Sequence, residues 1–202
     1  MLSEIKGIIL DWGGVLIDNP AGSVISYCSR VLAVPEQDFS STFSNYEERF
    51  QKGLLSELEF WSAVCNDLAV SLPDDSSLWR RAFEAAYRQN EGVLHFVTNI
   101  RATGIKTAIL SNTEQPAFEY FQTLKYECFD QEIFSCLEGT RKPESKIYEL
   151  ALKRLDISPS QAIFVDDKHE NIQGAREAGL HALLFEDYSQ LVSDIKQFGL
   201  GK

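Results

Sequence analysis

The amino-acid sequence predicts an α/β fold, a doubly wound parallel sheet with an inserted α-helical cap. Short apolar runs, each the length of a buried strand, alternate with segments of helical periodicity, which is typical of parallel sheets. The stretch from Asn19 to Glu91 differs, because it shows helical patterns and no convincing strand. We therefore divide the 202 residues into a core, residues 1–18 and 92–202, and a cap, residues 19–91.

Four segments are predicted to be strands because they are short, almost wholly apolar and bounded by polar residues. An apolar residue at nearly every position indicates a strand that helices cover on both faces. In chain order these segments are Ile5 to Leu10, Lys106 to Leu110, Ala162 to Val165 and His181 to Phe185.

Helices are predicted between these strands from the spacing of their apolar residues. Glu144 to Leu155 places its apolar side chains largely on one face, and Asn171 to Ala178 stops at Gly179, a typical C-terminal glycine. Ser158-Pro159 resembles a helix cap followed by proline in the first turn. Strands that alternate with such helices indicate a parallel sheet.

The predicted cap contains amphipathic helices. Ser56 to Glu59 is a capping-box signature that precedes apolar residues at helical spacing. Trp79, Phe83, Ala86 and Tyr87 indicate another helix. Open sheets bind ligands at the carboxyl ends of their strands, so an insertion after the first strand is placed to form a lid. A helical pack without contact to any site is the structural alternative.

The composition limits the classes of partner. The formal net charge of −11 disfavours a nucleic-acid backbone or an anionic membrane as the main partner. No apolar run is long enough to cross a membrane, and the N-terminus has no basic region ahead of a long apolar segment. We therefore expect a cytoplasmic protein, in which any anionic substrate needs local positive charge at its site.

Polar residues directly follow the first two predicted strands. Asp11-Trp12-Gly13-Gly14-Val15 places a carboxylate before two glycines, where backbone amides can approach an anion closely. Ser111-Asn112-Thr113 places hydroxyl and amide groups after the second strand. Taken separately, the aspartate can be a turn residue, and the second segment can cap a helix that begins near Glu114.

Two further segments carry charged groups. Lys142 precedes the helix predicted from Glu144. A lysine in this position is most often a solvated surface residue. Asp166 and Asp167 are adjacent acids after a wholly apolar strand, with Asn171 four positions beyond Asp167. Adjacent carboxylates repel each other unless a cation or hydrogen-bond donors compensate, so a hard divalent ion is a natural explanation.

Together, these four segments resemble the motifs of the haloacid dehalogenase-like hydrolase superfamily. Asp11 to Val15 resembles the nucleophile motif, Ser111-Asn112 the second motif, Lys142 the third, and Asp166-Asp167 with Asn171 the acidic fourth. The resemblance covers essentially the whole chain. It implies a Rossmann-like core with an α-helical cap inserted after the first motif.

The resemblance also implies a magnesium-dependent phosphohydrolase that works through an aspartyl-phosphate intermediate. Asp11 is then both the nucleophile and a Mg²⁺ ligand, and the Gly13 backbone carbonyl and the Asp167 carboxylate supply further ligands. Asp166 and Asn171 then lie beside the Mg²⁺ ligands. The groups that contact the phosphoryl group are then Ser111, Asn112 through its backbone amide, Lys142 and Gly14.

Gly13 departs from the family's usual pattern. Most phosphatases of this superfamily carry a second aspartate at that position, which protonates the leaving group and later activates water. General acid–base catalysis contributes roughly 10²- to 10⁴-fold in rate. One interpretation is therefore a phosphatase that takes this proton from water, the substrate or a cap residue.

Three other interpretations of Gly13 stay open at this stage. A 2-haloacid dehalogenase needs no acid there, but such enzymes do not need Mg²⁺ and usually lack the paired acids retained at Asp166 and Asp167. A phosphonate hydrolase needs a cap lysine for a Schiff base, and Lys52, the only cap lysine, is interpreted as part of an exposed turn. A catalytically impaired binding or interaction protein is the non-enzymatic alternative.

The sequence favours the phosphatase, with a small phosphorylated metabolite as its partner. The nucleophile, hydroxyl, lysine and acidic motif residues are all retained, and a decayed site does not need all of them. In the cap, Tyr46 to Leu54 mixes aromatic and polar groups suited to a pocket wall. Arg49 is either a second anion-binding group or an exposed helix residue. A sugar phosphate is suggested by family analogy alone.

Overall fold

A computed structural model describes residues 4–74 and 77–200. Residues 1–3, part of the N-terminus considered in the sequence analysis, lie outside the described residues. One parallel sheet contains β1 (Gly7–Leu10), β2 (Lys106–Ser111), β3 (Gln131–Phe134), β4 (Ala162–Asp166) and β5 (His181–Leu184). The strand order across the sheet is β3-β2-β1-β4-β5.

β1 lies at the centre of this sheet, between β2 and β4. Gly7 pairs with Lys106 on one side and with Ala162 on the other. All four residues of β1 are buried, because neighbouring strands and two covering layers exclude water from it. The residue that follows β1 therefore stands at the middle of the carboxyl edge, where open parallel sheets bind ligands.

The segment that was predicted as the cap, residues 19–91, is helical. In its described part, the helices are α1 (Ala21–Leu32), α2 (Glu36–Ser44), α3 (Glu47–Gln51), α4 (Glu57–Asp67) and α5 (Leu78–Ala86). α4 begins with the predicted capping box, in which Ser56 Oγ accepts from the Glu59 amide and Glu59 Oε2 accepts from the Ser56 amide. α5 ends before Tyr87, which is extended.

Helices cover both faces of the sheet. They are α6 (Glu91–Ala102), α7 (Gln115–Leu124), α8 (Ser135–Glu138), α9 (Ser145–Leu155), α10 (His169–Glu177) and α11 (Tyr188–Ile195). The buried residues of α9 and α10 pack on one face, and those of α6, α7 and α11 pack on the other. This arrangement confirms the doubly wound α/β fold.

The inserted helices pack against the face of the sheet that α6, α7 and α11 cover. Their buried apolar residues form one continuous cluster with the residues of that face. Trp12, directly after β1, belongs to this cluster. Its ring centroid lies 4.8 Å from that of Phe83 in α5 and 5.1 Å from that of Phe121 in α7. Aromatic packing at this spacing is favourable. The helical insertion is thereby seated against residues beside the carboxyl edge of β1.

The structure differs from the sequence prediction at two elements. β3 was not predicted, because Gln131 and Glu132 are polar and incompletely buried on this edge strand, leaving only two buried positions. Ser158-Pro159 opens a 3₁₀ turn, Pro159–Gln161, instead of an α-helix. A second 3₁₀ turn spans Lys196–Phe198. None of the described helices is both long and apolar enough to cross a membrane.

Candidate active site

Three of the predicted site residues stand at the carboxyl edge of the central strands. Asp11 follows β1, Ser111 ends β2 and Asp166 ends β4. Because these strands are parallel neighbours, their carboxyl ends lie along the same edge. All three residues are buried. The topology thus brings together groups that are far apart in the sequence.

Lys142 joins two of these carboxylates. It lies between α8 and α9, and its Nζ is 2.8 Å from Asp11 Oδ1 and 2.7 Å from Asp166 Oδ2. The lysine is 1% exposed, so it is not a solvated surface residue. A buried ammonium group is costly unless carboxylates compensate for the lost water. The two ion pairs fix positive charge beside Asp11.

Asp166 is fully engaged by donors of the protein. Asn171 Nδ2 lies 2.9 Å from its Oδ1 and 3.0 Å from its Oδ2, and the Lys168 amide nitrogen lies 2.8 Å from Oδ1. The Lys142 ammonium group contacts Oδ2 as described above. Asp166 therefore holds both Lys142 and the start of α10 in place.

Asp167 keeps one carboxylate oxygen unpaired. Its Oδ2 accepts a hydrogen bond from Asn19 Nδ2 at 3.1 Å, whereas its Oδ1 is buried without a hydrogen-bond partner among the described residues. One oxygen from each of Asp11, Asp166 and Asp167 lies within 4.8 Å of the other two. An unsatisfied buried carboxylate oxygen in such a cluster fits a hard divalent cation, which prefers oxygen ligands.

The charge of the cluster also favours a cation. The three carboxylates outnumber the single ammonium group of Lys142, so the ionised cluster carries excess negative charge. Burial raises the pKa of Asp11 to about 7, although Lys142 opposes this shift. Burial, together with Asp166, also raises the pKa of Asp167. Burial acts to lower the pKa of Lys142, but Asp11 and Asp166 outweigh it and raise the pKa.

Gly14 allows Asp167 to lie close to the loop after β1. Its φ is +88°, a conformation that glycine adopts readily, and a Cβ at this position would overlap the Asp167 carboxylate. Both the backbone conformation and the available space therefore require glycine. The contact that the structure shows is with a candidate metal ligand, and the role of Gly14 toward a substrate stays a prediction.

Replacement of Gly14 by alanine should displace Asp167 and weaken divalent-cation binding by roughly 10- to 100-fold, the usual effect of disturbing groups around a metal ligand. Gly104→Ala is the matched control, because Gly104 has a φ of +91° and a Cβ there has no neighbour within 4 Å. The measurement is the rise in melting temperature as MgCl₂ or MnCl₂ is titrated. Equal cation dependence of the two variants would contradict the assignment of Asp167.

Asn112 binds the backbone of Lys142 through both atoms of its amide. Its Nδ2 donates to the Lys142 carbonyl oxygen at 2.9 Å, and its Oδ1 accepts from the Lys142 amide at 2.8 Å. Neither Asn112 nor Thr113 caps α7, since Glu114 occupies the N-cap position. The Thr113 hydroxyl donates to Ser111 Oγ at 2.7 Å, which leaves the Ser111 proton available to another acceptor.

A cavity of about 120 Å³ adjoins these groups, between the sheet edge and the helical insertion. The residues that line it from the sheet domain include Asp11, Gly13, Ser111 and Lys142. The insertion contributes mainly apolar and aromatic walls, together with one acid and two amides: Asn19, Pro20, Ala21, Val24, Ile25, Phe43, Glu47, Gln51, Trp79 and Phe83. Contact of the insertion with the site favours the lid over a remote helical pack.

Gln51 ties the insertion to the core at the rim of this cavity. Its backbone carbonyl accepts from Ser135 Oγ at 2.6 Å, and its Oε1 accepts from Arg141 Nη1 at 2.9 Å. Its Nε2 donates to Glu114 Oε1 at 3.2 Å. Arg49, which the sequence left as either an anion-binding group or an exposed helix residue, is exposed on α3.

Lys52 lies in a turn after α3, as the sequence suggested, but its side chain is not freely exposed. Its side chain is 14% exposed, and its Nζ lies 2.7 Å from Glu48 Oε1 and 2.6 Å from Glu144 Oε1. The pair with Glu144 forms because the end of α3 packs against the segment before α9. The ammonium group is therefore held by two carboxylates, which disfavours a Schiff-base role.

Comparison with known proteins agrees with this geometry. The model of the haloacid dehalogenase-like hydrolases matches residues 5–179. A sesquiterpene phosphatase of Aspergillus oryzae is 25% identical over 201 residues, which cover 98% of both chains. Acyl-CoA dehydrogenase family member 10 of Mus musculus is 31% identical over 201 residues, covering 95% of this chain and 19% of the mouse protein.

A solved structure shares the fold. The magnesium complex of a haloacid dehalogenase-family enzyme from Bacteroides thetaiotaomicron has a TM-score of 0.77 and 22% identity, over 94% of this chain and 98% of that one. The range matched by the family includes all the candidate site residues, from Asp11 to Asn171. This chain therefore belongs to the haloacid dehalogenase-like hydrolases.

Proposed function

We propose that this hydrolase is a Mg²⁺-dependent phosphatase that forms an aspartyl-phosphate on Asp11 and acts on a small phosphorylated metabolite. The observation that carries the proposal is the buried Asp11–Lys142–Asp166 arrangement, with the unpaired Asp167 oxygen in the same cluster. Phosphoryl transfer needs a nucleophile, neutralising charge and a metal at one place, and this cluster offers the first two together with carboxylates that could hold the metal.

In the first step, Asp11 attacks phosphorus and displaces the alcohol. Lys142 Nζ neutralises negative charge that develops on the phosphoryl oxygens, and it stays in place because Asp166 holds it from the other side. Ser111 donates a hydrogen bond to a phosphoryl oxygen, aided by the backbone amide of Asn112. Asn112 also maintains the position of Lys142 through its side-chain hydrogen bonds.

Asp11, Asp167 and the Gly13 carbonyl would hold Mg²⁺ beside this group. When bound, Mg²⁺ supplies positive charge to the phosphoryl oxygens and offsets the excess of carboxylates. Asp166 and Asn171 lie next to these ligands and hydrogen-bond each other. Asp166 acts on Asp11 through Lys142, which forms an ion pair with both carboxylates. An acidic protein can bind an anionic substrate because Lys142 and the metal reverse the local charge.

The cavity walls favour a monophosphate ester with a small or apolar body. The described cap residues that line it include aromatic and aliphatic side chains and Glu47, but no lysine or arginine. A second phosphate would therefore find no cationic partner on this side. The volume of about 120 Å³ leaves little room beyond a phosphoryl group while the insertion is seated. Larger substrates would require the cap to move.

The direct test measures phosphate and chloride release over a panel with MgCl₂ and with EDTA. The panel contains p-nitrophenyl phosphate, n-butyl phosphate, glucose 6-phosphate and 2-chloropropionate. We expect phosphate release from monoesters that requires Mg²⁺. Chloride release that continues in EDTA would show that the protein is a dehalogenase and would contradict the proposed phosphatase activity. Complete inactivity together with a tight protein partner would favour an interaction protein.

A further inference from the structure

Gly13 leaves the departing alcohol without the usual proton donor, so another group must supply it. An alkoxide is a poor leaving group, and a positioned acid assists its departure. Glu114 is a buried carboxyl group that lines the same cavity as Asp11 and Gly13. It lies three residues after Ser111, at the N-cap of α7, and thus at the same carboxyl edge.

The Glu114 carboxyl group points toward the cap. Its Oε1 accepts from Gln51 Nε2 at 3.2 Å, and its Oε2 accepts from Trp79 Nε1 at 3.1 Å. Gln51 and Trp79 also line the cavity, on the side opposite the sheet edge. The carboxyl group is therefore placed between the groups around Asp11 and the cap, where the body of a substrate would lie.

The surroundings of Glu114 suit an uncharged acid. Both of its side-chain donors are neutral, and Arg141 donates to Gln51 Oε1 instead of to Glu114. Burial raises the pKa of Glu114, and the charge of nearby Glu47 adds to this effect, whereas the hydrogen bonds oppose it. Each carboxyl oxygen has two lone-pair positions, so the hydrogen bonds accepted from Gln51, Trp79 and the Glu114 amide leave room for a proton.

We propose that Glu114 is the general acid and base that replaces the aspartate absent at position 13, an inference that rests on the proposed phosphatase function. As the Asp11 oxygen bonds to phosphorus, the bond from phosphorus to the ester oxygen breaks, and the Glu114 proton passes to that oxygen. The alcohol leaves and Glu114 becomes a carboxylate.

In the second half of the reaction, Glu114 takes a proton from water as the water oxygen attacks phosphorus. The bond between phosphorus and the Asp11 oxygen breaks, phosphate leaves, and both Asp11 and Glu114 return to their starting states. Every proton is thereby accounted for with water as the only co-reactant.

The test compares two substrates in one variant, Glu114→Gln. The value of kcat/KM covers steps up to the departure of the leaving group. For n-butyl phosphate we expect kcat/KM to fall by roughly 10²- to 10⁴-fold, because butoxide needs the proton. For p-nitrophenyl phosphate, whose leaving group departs unprotonated, we expect less than about a tenfold change. The ratio of the two values is independent of the folded fraction of the variant.

Glu119→Gln is the matched control, because Glu119 lies on the same helix as Glu114, is exposed and does not line the cavity. It should leave the ratio unchanged. A second variant, Gly13→Asp combined with Glu114→Gln, should restore n-butyl phosphate hydrolysis. The added Cβ would lie 3.3 Å from Pro20 Cδ, a tight contact that a small shift of the ring relieves.

Equal losses on both substrates would show that Glu114 merely holds the cap, and no loss would show that it is not the acid. Either result overturns the inference, as does a selective loss in Glu119→Gln alone. Wild-type protein active only on p-nitrophenyl phosphate also overturns it, while the phosphatase proposal survives. Wild-type protein that hydrolyses no phosphate ester with Mg²⁺ contradicts the proposed function itself.

Discussion

Asp11→Asn should lower phosphatase turnover by about 10⁴-fold or more, the largest effect expected of any single substitution. The amide cannot form the phosphorylated intermediate, although it preserves the shape of the buried side chain. Asp18→Asn is the matched control, since Asp18 is exposed seven residues further along. The measurement is phosphate release with saturating MgCl₂. Normal hydrolysis by Asp11→Asn would exclude Asp11 as nucleophile.

The same substitution should change how stability depends on pH. Burial raises the pKa of Asp11 to about 7, well above the value of about 3.9 of an unfolded chain. The folded protein therefore keeps a proton that the unfolded chain releases, and the stability contributed by Asp11 falls as pH rises from about 4 to 7. Asparagine does not titrate in this range.

Urea denaturation in EDTA measures this effect directly. The free energy of unfolding of Asp11→Asn, relative to wild type, should increase between pH 5 and pH 8. Mg²⁺ should stabilise wild type more than the variant at pH 8, because the variant lacks one anionic ligand. A pH-independent difference between the two proteins would contradict the burial of an ionisable group at Asp11.

Lys142→Met should lower both activity and stability. Loss of the ammonium group leaves Asp11 and Asp166 close together without a buried cation between them. Removing one partner of a buried ion pair costs about 3–5 kcal/mol, and loss of charge beside the phosphoryl group costs roughly 10²- to 10³-fold in kcat. Lys146→Met is the matched control, because Lys146 is exposed on α9.

A double substitution separates charge repulsion from lost packing. If the unpaired carboxylates cause the instability, Lys142→Met combined with Asp11→Asn should be more stable in EDTA than additivity predicts. Urea denaturation of the four proteins of this cycle measures the coupling. A Lys142→Met variant as stable as Lys146→Met would show that the ion pairs contribute nothing to the fold.

The sequence predicted the elements whose residues are buried on both faces. β1, β2 and β4 were recognisable as short apolar runs, because neighbouring strands and helices exclude water from most of their residues. β5 is a partly buried edge strand that was recognisable because Ala182 to Leu184 are all apolar. The edge strand β3 was not recognisable, because it begins with the polar residues Gln131 and Glu132. The capping box of α4 was recognisable since Ser56 and Glu59 interact within one turn. Local patterns thus predict local structure.

Contacts over long sequence separations could not be predicted in this way. Asn112 was interpreted through its backbone amide or as a helix cap, yet its side chain binds the backbone of Lys142. Asn19 reaches Asp167 and Glu114 reaches Trp79, and no spacing in the sequence indicates either pair. The one visible signal for Glu114 was an acid two residues after the second motif, Ser111-Asn112.

The central position of β1 has a consequence for folding. Gly7 pairs with Lys106 and with Ala162, so β1 is flanked on both sides only after distant parts of the chain have met. Pairing over such separations is slow relative to helix formation. Asp11, Ser111 and Asp166 therefore come together only once both of these long-range pairings have formed. During refolding, catalytic competence would emerge as one late event, well after most helical signal has returned.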